Sequence, residues 1–189
     1  MADISSISTK TRFCCVIGNP IEHSLSPAIH NAGYAELGLD FVYVANRVED
    51  VKSTLAGMRA MENFRGMSIT IPHKIEAIQY VDEIPPMDRA IGSINTVVNE
   101  NGRLIGSNTD GAGAMKAIED AGVDLADSHV LMLGAGGASR AIAFTLAWDP
   151  RIKEMTLLDI DPALLDSLGN DLAEQTDTRI MTDAMDDES

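Results

Sequence analysis

Short apolar runs alternate with segments of helical periodicity through the first half of the chain. Residues 13–18 (FCCVIG) form an apolar run that ends at Gly-Asn-Pro, which is typical of a buried strand entering a tight loop. Ser26 is the predicted N-cap of the first helix, with Pro27 in its first turn. The same pattern predicts further strands over 41–45 and 66–71, and helices over 28–37, 51–61, 73–81 and 87–90. Strands that alternate with helices favour a mainly parallel sheet.

A β-hairpin is predicted next. Residues 96–99 and 103–107 have the composition of strands, and they flank the segment Glu100-Asn101-Gly102. The Asn-Gly pair accepts the positive φ angles that a tight turn requires. These two strands are therefore expected to be antiparallel neighbours.

The rest of the chain predicts one helix followed by a different fold. Thr109 is the predicted N-cap of a helix over 110–121, which Gly122 ends. From residue 130 the pattern predicts a strand, a glycine turn and a helix, then a strand over 155–159, a helix over 162–172 and a third strand over 179–181. This is the first half of a Rossmann-type dinucleotide-binding fold, which in full has two such halves and about six strands. The domain is therefore expected to be incomplete and to end in the polar tail 183–189.

These elements divide the chain into three predicted parts, all of the α/β class. A mainly parallel α/β domain covers 1–109, a linker helix covers 110–124, and an incomplete Rossmann-type dinucleotide-binding domain covers 125–189. An unfinished sheet would leave an exposed edge and exposed apolar faces. We therefore expect a C-terminal region that is poorly soluble or partly unfolded, and a chain that is able to form a homodimer.

The composition is that of a cytoplasmic globular protein. Hydrophobic residues make up 45% and charged residues 23% of the chain, which is ordinary for a folded domain. No apolar run reaches the roughly 18 residues that cross a bilayer, and the N-terminal segment lacks the basic start and apolar stretch of a signal peptide. We therefore expect no membrane partner.

Charge and metal-ligand patterns exclude two further classes of function. The net charge of −15 argues against a nucleic-acid partner, because neutralising phosphates requires a basic stripe. The charge is uneven, since residues 111–189 carry 16 acidic against 5 basic residues. Cys14 and Cys15 are adjacent and are expected to be reduced thiols on a buried strand. The four histidines show no ligand spacing, so no metal site is expected.

The glycine turn is the strongest local signal for a ligand. Its residues are Gly134, Ala135, Gly136, Gly137 and Ala138, placed between a predicted strand and a predicted helix. Glycines permit close approach of the backbone to a pyrophosphate, and the helix N-terminus supplies free amide donors. Dinucleotide binding is therefore predicted here, although a turn with no more than a structural role would have the same local sequence.

Asp159 ends the next predicted strand, 20 residues after Ser139. A carboxylate at this point can accept hydrogen bonds from the ribose hydroxyls of NAD but would repel the 2′-phosphate of NADP. NAD is therefore favoured over NADP, with a solvated acid at a strand end as the alternative interpretation.

Four polar segments in the first 113 residues carry a family resemblance. They are GNPIEHSLSPAIHN (18–31), GMSITIPHK (66–74), GSINT (92–96) and GSNTDGAG (106–113). In this order, ahead of the glycine turn, they closely resemble the shikimate and quinate/shikimate dehydrogenases over about residues 13–175. The resemblance implies that the N-terminal domain binds the substrate.

The same resemblance implies roles for six residues of these segments. Lys74 would be the catalytic lysine and Asp110 its carboxylate partner. The substrate would be held by Ser24 and Ser26 at its carboxylate and by Thr70 and Asn95 at its ring hydroxyls. Taken singly, each of these residues could instead be a solvated side chain, a helix cap or a partner of nearby backbone groups.

Two positions depart from the family pattern. Ser68 stands where asparagine is frequent, and Ser93 stands where alanine is frequent. Both residues are small and polar, so the departures affect the expected substrate preference more than the expected activity.

The implied activity is interconversion of 3-dehydroshikimate and shikimate by hydride transfer with a nicotinamide cofactor, with quinate as an additional substrate. A shikimate-binding or remnant protein without catalytic activity is the main alternative, because the second half of the dinucleotide domain is missing from the predicted pattern. A related dehydrogenase acting on a folate is less favoured, since the paired serines and the Asn-Thr-Asp motif suit a small carboxylated polyol.

Overall fold

The computed structural model describes residues 7–185 in two compact units. The start of the N-terminal segment (1–6) and the end of the predicted polar tail (186–189) lie outside the described residues. The first unit extends to Arg89 and also includes Ile94–Ser107, and the second contains Ala90–Ser93 and the chain from Asn108 onward. The chain thus passes from one unit to the other three times.

The first unit contains a five-stranded mixed sheet. Its strands are β1 (Arg12–Gly18), β2 (Phe41–Arg47), β3 (Phe64–Ile69), β4 (Thr96–Glu100) and β5 (Arg103–Ser107), in the spatial order β2-β1-β3-β4-β5. β1 pairs in parallel with β2 and β3, whereas β4 is antiparallel to β3 and β5. The predicted hairpin is confirmed, and its turn has positive φ at Asn101 and Gly102. The predicted α/β fold class is confirmed as well.

Helical segments border this sheet. They are α1 (Ser26–Glu36), α2 (Val51–Arg59), a 3₁₀ helix (Glu76–Tyr80) and α3 (Pro86–Ile91), whose last two residues belong to the second unit. Successive β1 side chains alternate between two apolar clusters: Cys15 and Ile17 pack with α2 residues, and Cys14 and Val16 pack with Tyr43. Both faces of the sheet are therefore covered, which explains why β1 is an unbroken apolar run.

Two local predictions in this unit are wrong. The N-cap of α1 is Leu25, not Ser26, because Ser26 already has its place in the first helical turn beside the proline. The predicted helix over 73–81 is replaced by a turn and the 3₁₀ helix. Long-range contacts fix the start of that segment, since the buried His73 ring lies 2.8 Å from the Val48 carbonyl and the Lys74 carbonyl accepts from Ile94 N.

The second unit contains a three-stranded parallel sheet. Its elements are α4 (Asp110–Asp120), β6 (Ser128–Leu133), α5 (Gly137–Ala147), β7 (Ile152–Asp159), α6 (Pro162–Gln175) and β8 (Arg179–Ala184), and the strand order is β6-β7-β8. The core is formed by α5, α6 and β7, with Phe144, Met155 and Leu168 fully buried. The predicted third strand is confirmed and is longer than expected, because every residue of β8 pairs with β7.

Two further observations concern the thiols and the membrane. Cys14 and Cys15 are free and buried, as expected, and burial raises the pKa of the Cys15 thiol to about 12. The thiol is therefore neutral at physiological pH and a poor nucleophile.

Across residues 7–185, no helix is long and apolar enough to cross a membrane.

Candidate functional site

Among the predicted substrate residues of the first unit, Ser24, Ser26 and Thr70 follow the carboxyl ends of β1 and β3, and Asn95 directly precedes β4. Thr70 directly follows β3, and its backbone N–H donates to the Ile17 carbonyl at 2.9 Å. Asn19 N donates to the Ile71 carbonyl at 2.9 Å, so the two loops run side by side. Ligands of open parallel sheets bind at this edge, because neighbouring loops diverge there and leave a crevice.

Thr70, Lys74 and Asn95 are brought together by the backbone. The Lys74 carbonyl accepts from Ile94 N at 2.9 Å, and the Asn95 carbonyl accepts from Ile69 N at 2.7 Å. Asn95 N in turn donates to the Ser107 carbonyl at 3.0 Å. Asn95, which is distant in sequence, therefore shares one end of the sheet with Thr70 and Lys74, and all three residues are partly accessible.

Ser24 and Ser26 lie in the loop and first helical turn that follow β1. The Ser24 hydroxyl accepts from Ser26 N at 3.3 Å, so the two residues form a local turn ahead of α1. Both are partly buried, and neighbouring Leu25 has 72% of its surface exposed. The hydroxyl that caps this turn is therefore that of Ser24 rather than that of Ser26.

A buried tyrosine at the same sheet was missed by sequence reasoning. Tyr43 on β2 is 4% exposed, and its hydroxyl donates to Ser68 Oγ on β3 at 2.7 Å. Burial raises the pKa of Tyr43, which keeps the phenol protonated and able to donate. The His30 ring stacks on Tyr43 with centroids 4.2 Å apart. The departure at Ser68 was the only sequence signal of this pair.

In the second unit the glycine turn has the backbone geometry that a phosphate-binding turn needs. Gly134 has φ +98°, and its N–H donates to the Leu158 carbonyl at 2.7 Å. Gly136 is the N-cap of α5 and has an extended backbone conformation. As a glycine it has no side chain that could accept hydrogen bonds from the first amides of α5. A Cβ on Gly136 would meet open space, so the approach to this turn is unobstructed. These features fit a dinucleotide pyrophosphate.

Asp159 acts on the glycine turn itself. Its Oδ2 accepts a hydrogen bond from Ala135 N, and its Oδ1 accepts from Asp161 N at 2.7 Å. Both carboxylate oxygens therefore have backbone partners within the unit. This is a structural role that neither the NAD interpretation nor the solvated-acid interpretation anticipated.

Asp110 is the first residue of α4, with Thr109 as the N-cap as predicted. Its backbone N–H donates to Asn108 Oδ1 at 2.9 Å. Asn108 Nδ2 donates to both the carbonyl and the hydroxyl of Ser93, at 3.0 and 2.9 Å. The Ser93 hydroxyl donates to the Gly137 carbonyl at 2.7 Å. Sequence reasoning missed the role of Asn108 and treated Ser93 only as a small departure.

Within the part of the chain that the structure describes, no group of three or more His, Cys, Asp and Glu side chains could hold a metal ion.

Comparison with protein families identifies relatives of the first unit. Residues 16–97 match the family model described as the shikimate dehydrogenase substrate binding domain. The matched range contains Ser24, Ser26, Thr70, Lys74 and Asn95.

Curated relatives extend the match into the second unit. A shikimate dehydrogenase (NADP(+)) of Methanococcus maripaludis is 45% identical over 145 residues, which are 76% of this chain and 51% of that protein. One of Desulforamulus reducens is 38% identical over 175 residues, which are 91% of this chain and 60% of that protein. The chain thus spans about half the length of the curated relatives it matches.

Solved structures agree. Shikimate 5-dehydrogenase from Listeria monocytogenes, in complex with shikimate and NAD, matches with a TM-score of 0.84 and 36% identity, covering 96% of this chain and 64% of that one. A shikimate dehydrogenase in complex with NADP+ matches with a TM-score of 0.81 and 37% identity, covering 93% and 63%. These matches confirm the resemblance carried by the four polar segments.

The comparisons correct the cofactor prediction. NAD was favoured over NADP on the strength of Asp159, and this is wrong, because the curated relatives are named for NADP(+) and one matching structure holds NADP+. The physical reason lies in the hydrogen bonds of Asp159. Its carboxylate serves the amides of Ala135 and Asp161, so its position at the strand end is not evidence of a carboxylate reserved for a ribose.

Proposed function

This chain belongs to the shikimate dehydrogenase family, and from that premise we propose that it interconverts 3-dehydroshikimate and shikimate by hydride transfer with NADP. The observation that carries the proposal is the grouping of Thr70, Lys74 and Asn95 at one end of the first sheet. Hydroxyl, ammonium and amide groups at one crevice suit a small polyol that must be oriented through several oxygens. The names of the relatives support the choice of substrate and cofactor.

Substrate binding is assigned to the first unit. Ser24 and Ser26 bind the substrate carboxylate, and Thr70 and Asn95 hold ring hydroxyls. The loops that carry these residues are fixed to one another by backbone hydrogen bonds, so little ordering is required when the substrate binds. This arrangement supports a preformed site.

Lys74 and Asp110 manage the proton in the proposed reaction. During oxidation of shikimate the reacting carbon loses a hydride and its hydroxyl loses a proton. Lys74 donates a hydrogen bond to the reacting oxygen, Asp110 accepts from the substrate hydroxyl, and the proton passes to this pair and then to solvent. In the reverse direction the same pair returns the proton to the new alkoxide.

The glycine turn holds the dinucleotide through backbone groups. Gly134, Ala135, Gly136, Gly137 and Ala138 supply the turn and the first amides of α5, and Asp159 keeps the turn in shape through Ala135 N. When bound, the dinucleotide supplies the hydride acceptor or donor. We also propose the domain boundaries 1–109, 110–124 and 125–189, with α4 inside the linker.

The direct test follows NADP reduction by absorbance with shikimate as the substrate, and NADPH oxidation with 3-dehydroshikimate. We expect Lys74→Ala and Asp110→Asn each to lower kcat roughly a hundredfold or more, the usual effect of losing a general acid or base. Lys52→Ala, which removes an exposed lysine of α2, is the matched control and should retain wild-type turnover. Circular dichroism of each variant verifies that it is folded.

Binding measurements separate the proposal from its alternative. Calorimetric titration that shows shikimate binding, with no dinucleotide binding and no turnover, would support a non-catalytic shikimate-binding protein instead. A wild-type chain that binds neither shikimate nor NADP would contradict both.

We also propose that the protein accepts quinate as a second substrate, forms a homodimer and lies in the cytoplasm. The sheet of the second unit supports association, because Leu131 and Leu133 on β6 are 62% and 63% exposed. Activity with quinate in the same assay, and a mass of two chains by light scattering, are the expected results.

A further inference from the structure

A continuous set of hydrogen bonds links the start of α4 to the start of α5 within the second unit. It runs from Asp110 N to Asn108 Oδ1, from Asn108 Nδ2 to Ser93, and from Ser93 Oγ to the Gly137 carbonyl, with distances of 2.9, 2.9 and 2.7 Å. The first end carries a proposed catalytic carboxylate. The other end is Gly137, which belongs to the glycine turn and is the first helical residue of α5.

Ser93 is the central member of this set. It is 0% exposed, and its hydroxyl is used twice, as a donor to Gly137 and as an acceptor from Asn108. Asn108 uses both its donor and its acceptor groups. These bonds are partly buried around the buried Ser93. A network in which each group has a partner is rigid, and removing one member takes a hydrogen-bond partner from its neighbours.

A second contact holds the same short segment on α5. Arg140 is 6% exposed, and its Nε donates to the Ile91 carbonyl at 2.8 Å. The guanidinium also pairs with Asp171 on α6. A Cβ on Gly92 would lie 3.1 Å from the Arg140 side chain. Residues 90–93 are thus fixed to α5 by the Arg140 bond before Gly92 and the Ser93 bond after it. The position of Ser93, which accepts from Asn108, is therefore well defined.

We propose that Ser93 and Asn108 are positioning residues that fix the Asp110 end of α4 to the glycine turn, so that binding of the dinucleotide at the turn orients the catalytic carboxylate. Neither residue touches the substrate in this proposal, and both act through Asp110. The proposal rests on the function proposed above. It accounts for a buried hydroxyl at position 93, where the family frequently has alanine.

Hydrogen exchange tests the link without any need for activity. Ser93→Ala removes the bond to Gly137, and Asn108→Asp removes the two donors to Ser93 while it keeps an acceptor for Asp110 N. Both variants should speed amide exchange in the first turns of α4 and α5 about fivefold, the factor expected for loss of one buried hydrogen bond. Thr178→Val is the matched control, since the buried Thr178 hydroxyl donates to the carbonyl of Ala147 at the other end of α5.

Kinetics test the positioning role itself. In Ser93→Ala we expect kcat for shikimate to fall roughly three- to tenfold with KM for shikimate nearly unchanged, because a small displacement of a catalytic group affects the reaction more than binding. Dinucleotide binding should also protect the first turn of α4 from exchange in the wild type but not in Ser93→Ala. Thr178→Val should leave kcat and this protection unchanged.

Three results would overturn the inference. The first is unchanged exchange at residues 110–115 in Ser93→Ala, the second is an equal increase there in Thr178→Val, and the third is a change in KM without a change in kcat in Ser93→Ala. If the wild-type chain shows no turnover, the proposed function fails, whereas the exchange experiment on the unliganded chain still decides whether Ser93 fixes α4 to the glycine turn.

Discussion

Gly18 lies at the end of β1, where its backbone faces Thr70. A Cβ at this position would lie 2.4 Å from Thr70 Cγ2 and 3.0 Å from the Ile71 carbonyl. Gly18→Ala must therefore displace a proposed substrate residue, and the cost of such overpacking is about 1–3 kcal/mol. We expect a lower urea midpoint and weaker shikimate binding.

Gly57→Ala is the matched control for Gly18→Ala. Gly57 lies inside α2, and a Cβ there would meet nothing within 4 Å. Alanine has the higher helix propensity by about 0.5–1 kcal/mol, so this variant should be slightly more stable than the wild type. Similar midpoints for the two variants would show that Thr70 does not limit the space beside Gly18.

At the scale of single residues, the sequence predicted where site residues lie along the chain better than it predicted their hydrogen-bond partners. Thr70 was predicted at the end of a strand, Lys74 at the start of a helix and Asn95 directly before a strand, so all three were expected near strand ends. The bond from Ser93 Oγ to the Gly137 carbonyl joins residues 44 positions apart. No local periodicity encodes such a contact, so a buried serine looked like a minor substitution.

Asp159 shows the same limit. Its position at the end of a strand was predicted correctly, and the NAD preference drawn from it was wrong. A carboxylate at a strand end can bind a ribose or the backbone of its own turn, and both uses place the same residue at the same point. Only the hydrogen bonds distinguish them.

At the scale of elements, periodicity was reliable wherever tertiary contacts did not compete with it. The apolar runs of β1 and β7 are buried by helices and residues of the same unit. The predicted position of β1 agrees with the structure, and β7 ends where predicted but already begins at Ile152. The helix predicted over 73–81 is wrong because contacts with residues distant in sequence fix its first residues. The His73 ring contacts the Val48 carbonyl and the Lys74 carbonyl accepts from Ile94 N, and neither partner is close in sequence.

Helices α4 and α5 pack closely at Gly111. A Cβ at this position would lie 2.0 Å from Thr145 Oγ1 and 2.6 Å from the Ala141 carbonyl, and both distances are too short for a Cβ and a nonbonded atom. Gly111→Ala must separate the two helices, and we expect a loss of about 1–3 kcal/mol in unfolding free energy. Thermal or urea unfolding followed by circular dichroism measures this loss of unfolding free energy.

Gly113→Ala provides the comparison within the same helix. A Cβ at Gly113 would meet nothing within 4 Å, so only helix propensity changes. This variant should gain about 0.5–1 kcal/mol. If Gly111→Ala gained stability as well, the close packing of α4 on α5 would be disproved.

The turn between α5 and β7 carries a pH-dependent contribution to stability. Hydrogen bonds from the Arg151 side chain and backbone lower the pKa of Asp149 from its ordinary value of 3.8 to about 2. A pKa that is lower in the folded state gives stability that is complete above the unfolded value and is lost as the pH falls through the folded value. This contribution should therefore disappear between about pH 4 and pH 2.

Asp149→Asn tests this by urea unfolding at a series of pH values. The variant should be less stable than the wild type at pH 6, and the difference should shrink on acidification towards pH 2. A difference that stayed constant from pH 6 to pH 2 would rule out the Arg151 pairing as its source.

For the whole molecule, each unit has its own hydrophobic core. In the first unit Phe64 and Leu55 lie in one cluster with residues of β1 and β3, and in the second unit Phe144 and Leu168 lie in another. The sequence predicted alternating strands and helices for the first unit and a Rossmann-type pattern for the second, because each core imposes its own periodicity of apolar residues. The inclusion of residues 90–93 in the second unit was not visible, since it depends on the contacts of Arg140 and Ser93.

Two cores and a single tryptophan allow the stabilities of the units to be measured separately. Trp148 is the only tryptophan in the sequence, and it packs against the core of the second unit with its ring centroid 5.2 Å from that of Phe144. Its fluorescence therefore reports the second unit, whereas far-UV circular dichroism reports both. Domains with separate cores can unfold in separate transitions.

We expect Phe64→Ala, in the first core, to lower the circular dichroism transition in urea and leave the Trp148 transition in place. Leu168→Ala, in the second core, should shift the Trp148 transition. Each truncation removes a buried side chain that is at most 2% exposed, at a cost of about 2–5 kcal/mol. If both variants shift both signals equally, the units unfold as one cooperative body and the expectation of separate transitions is wrong.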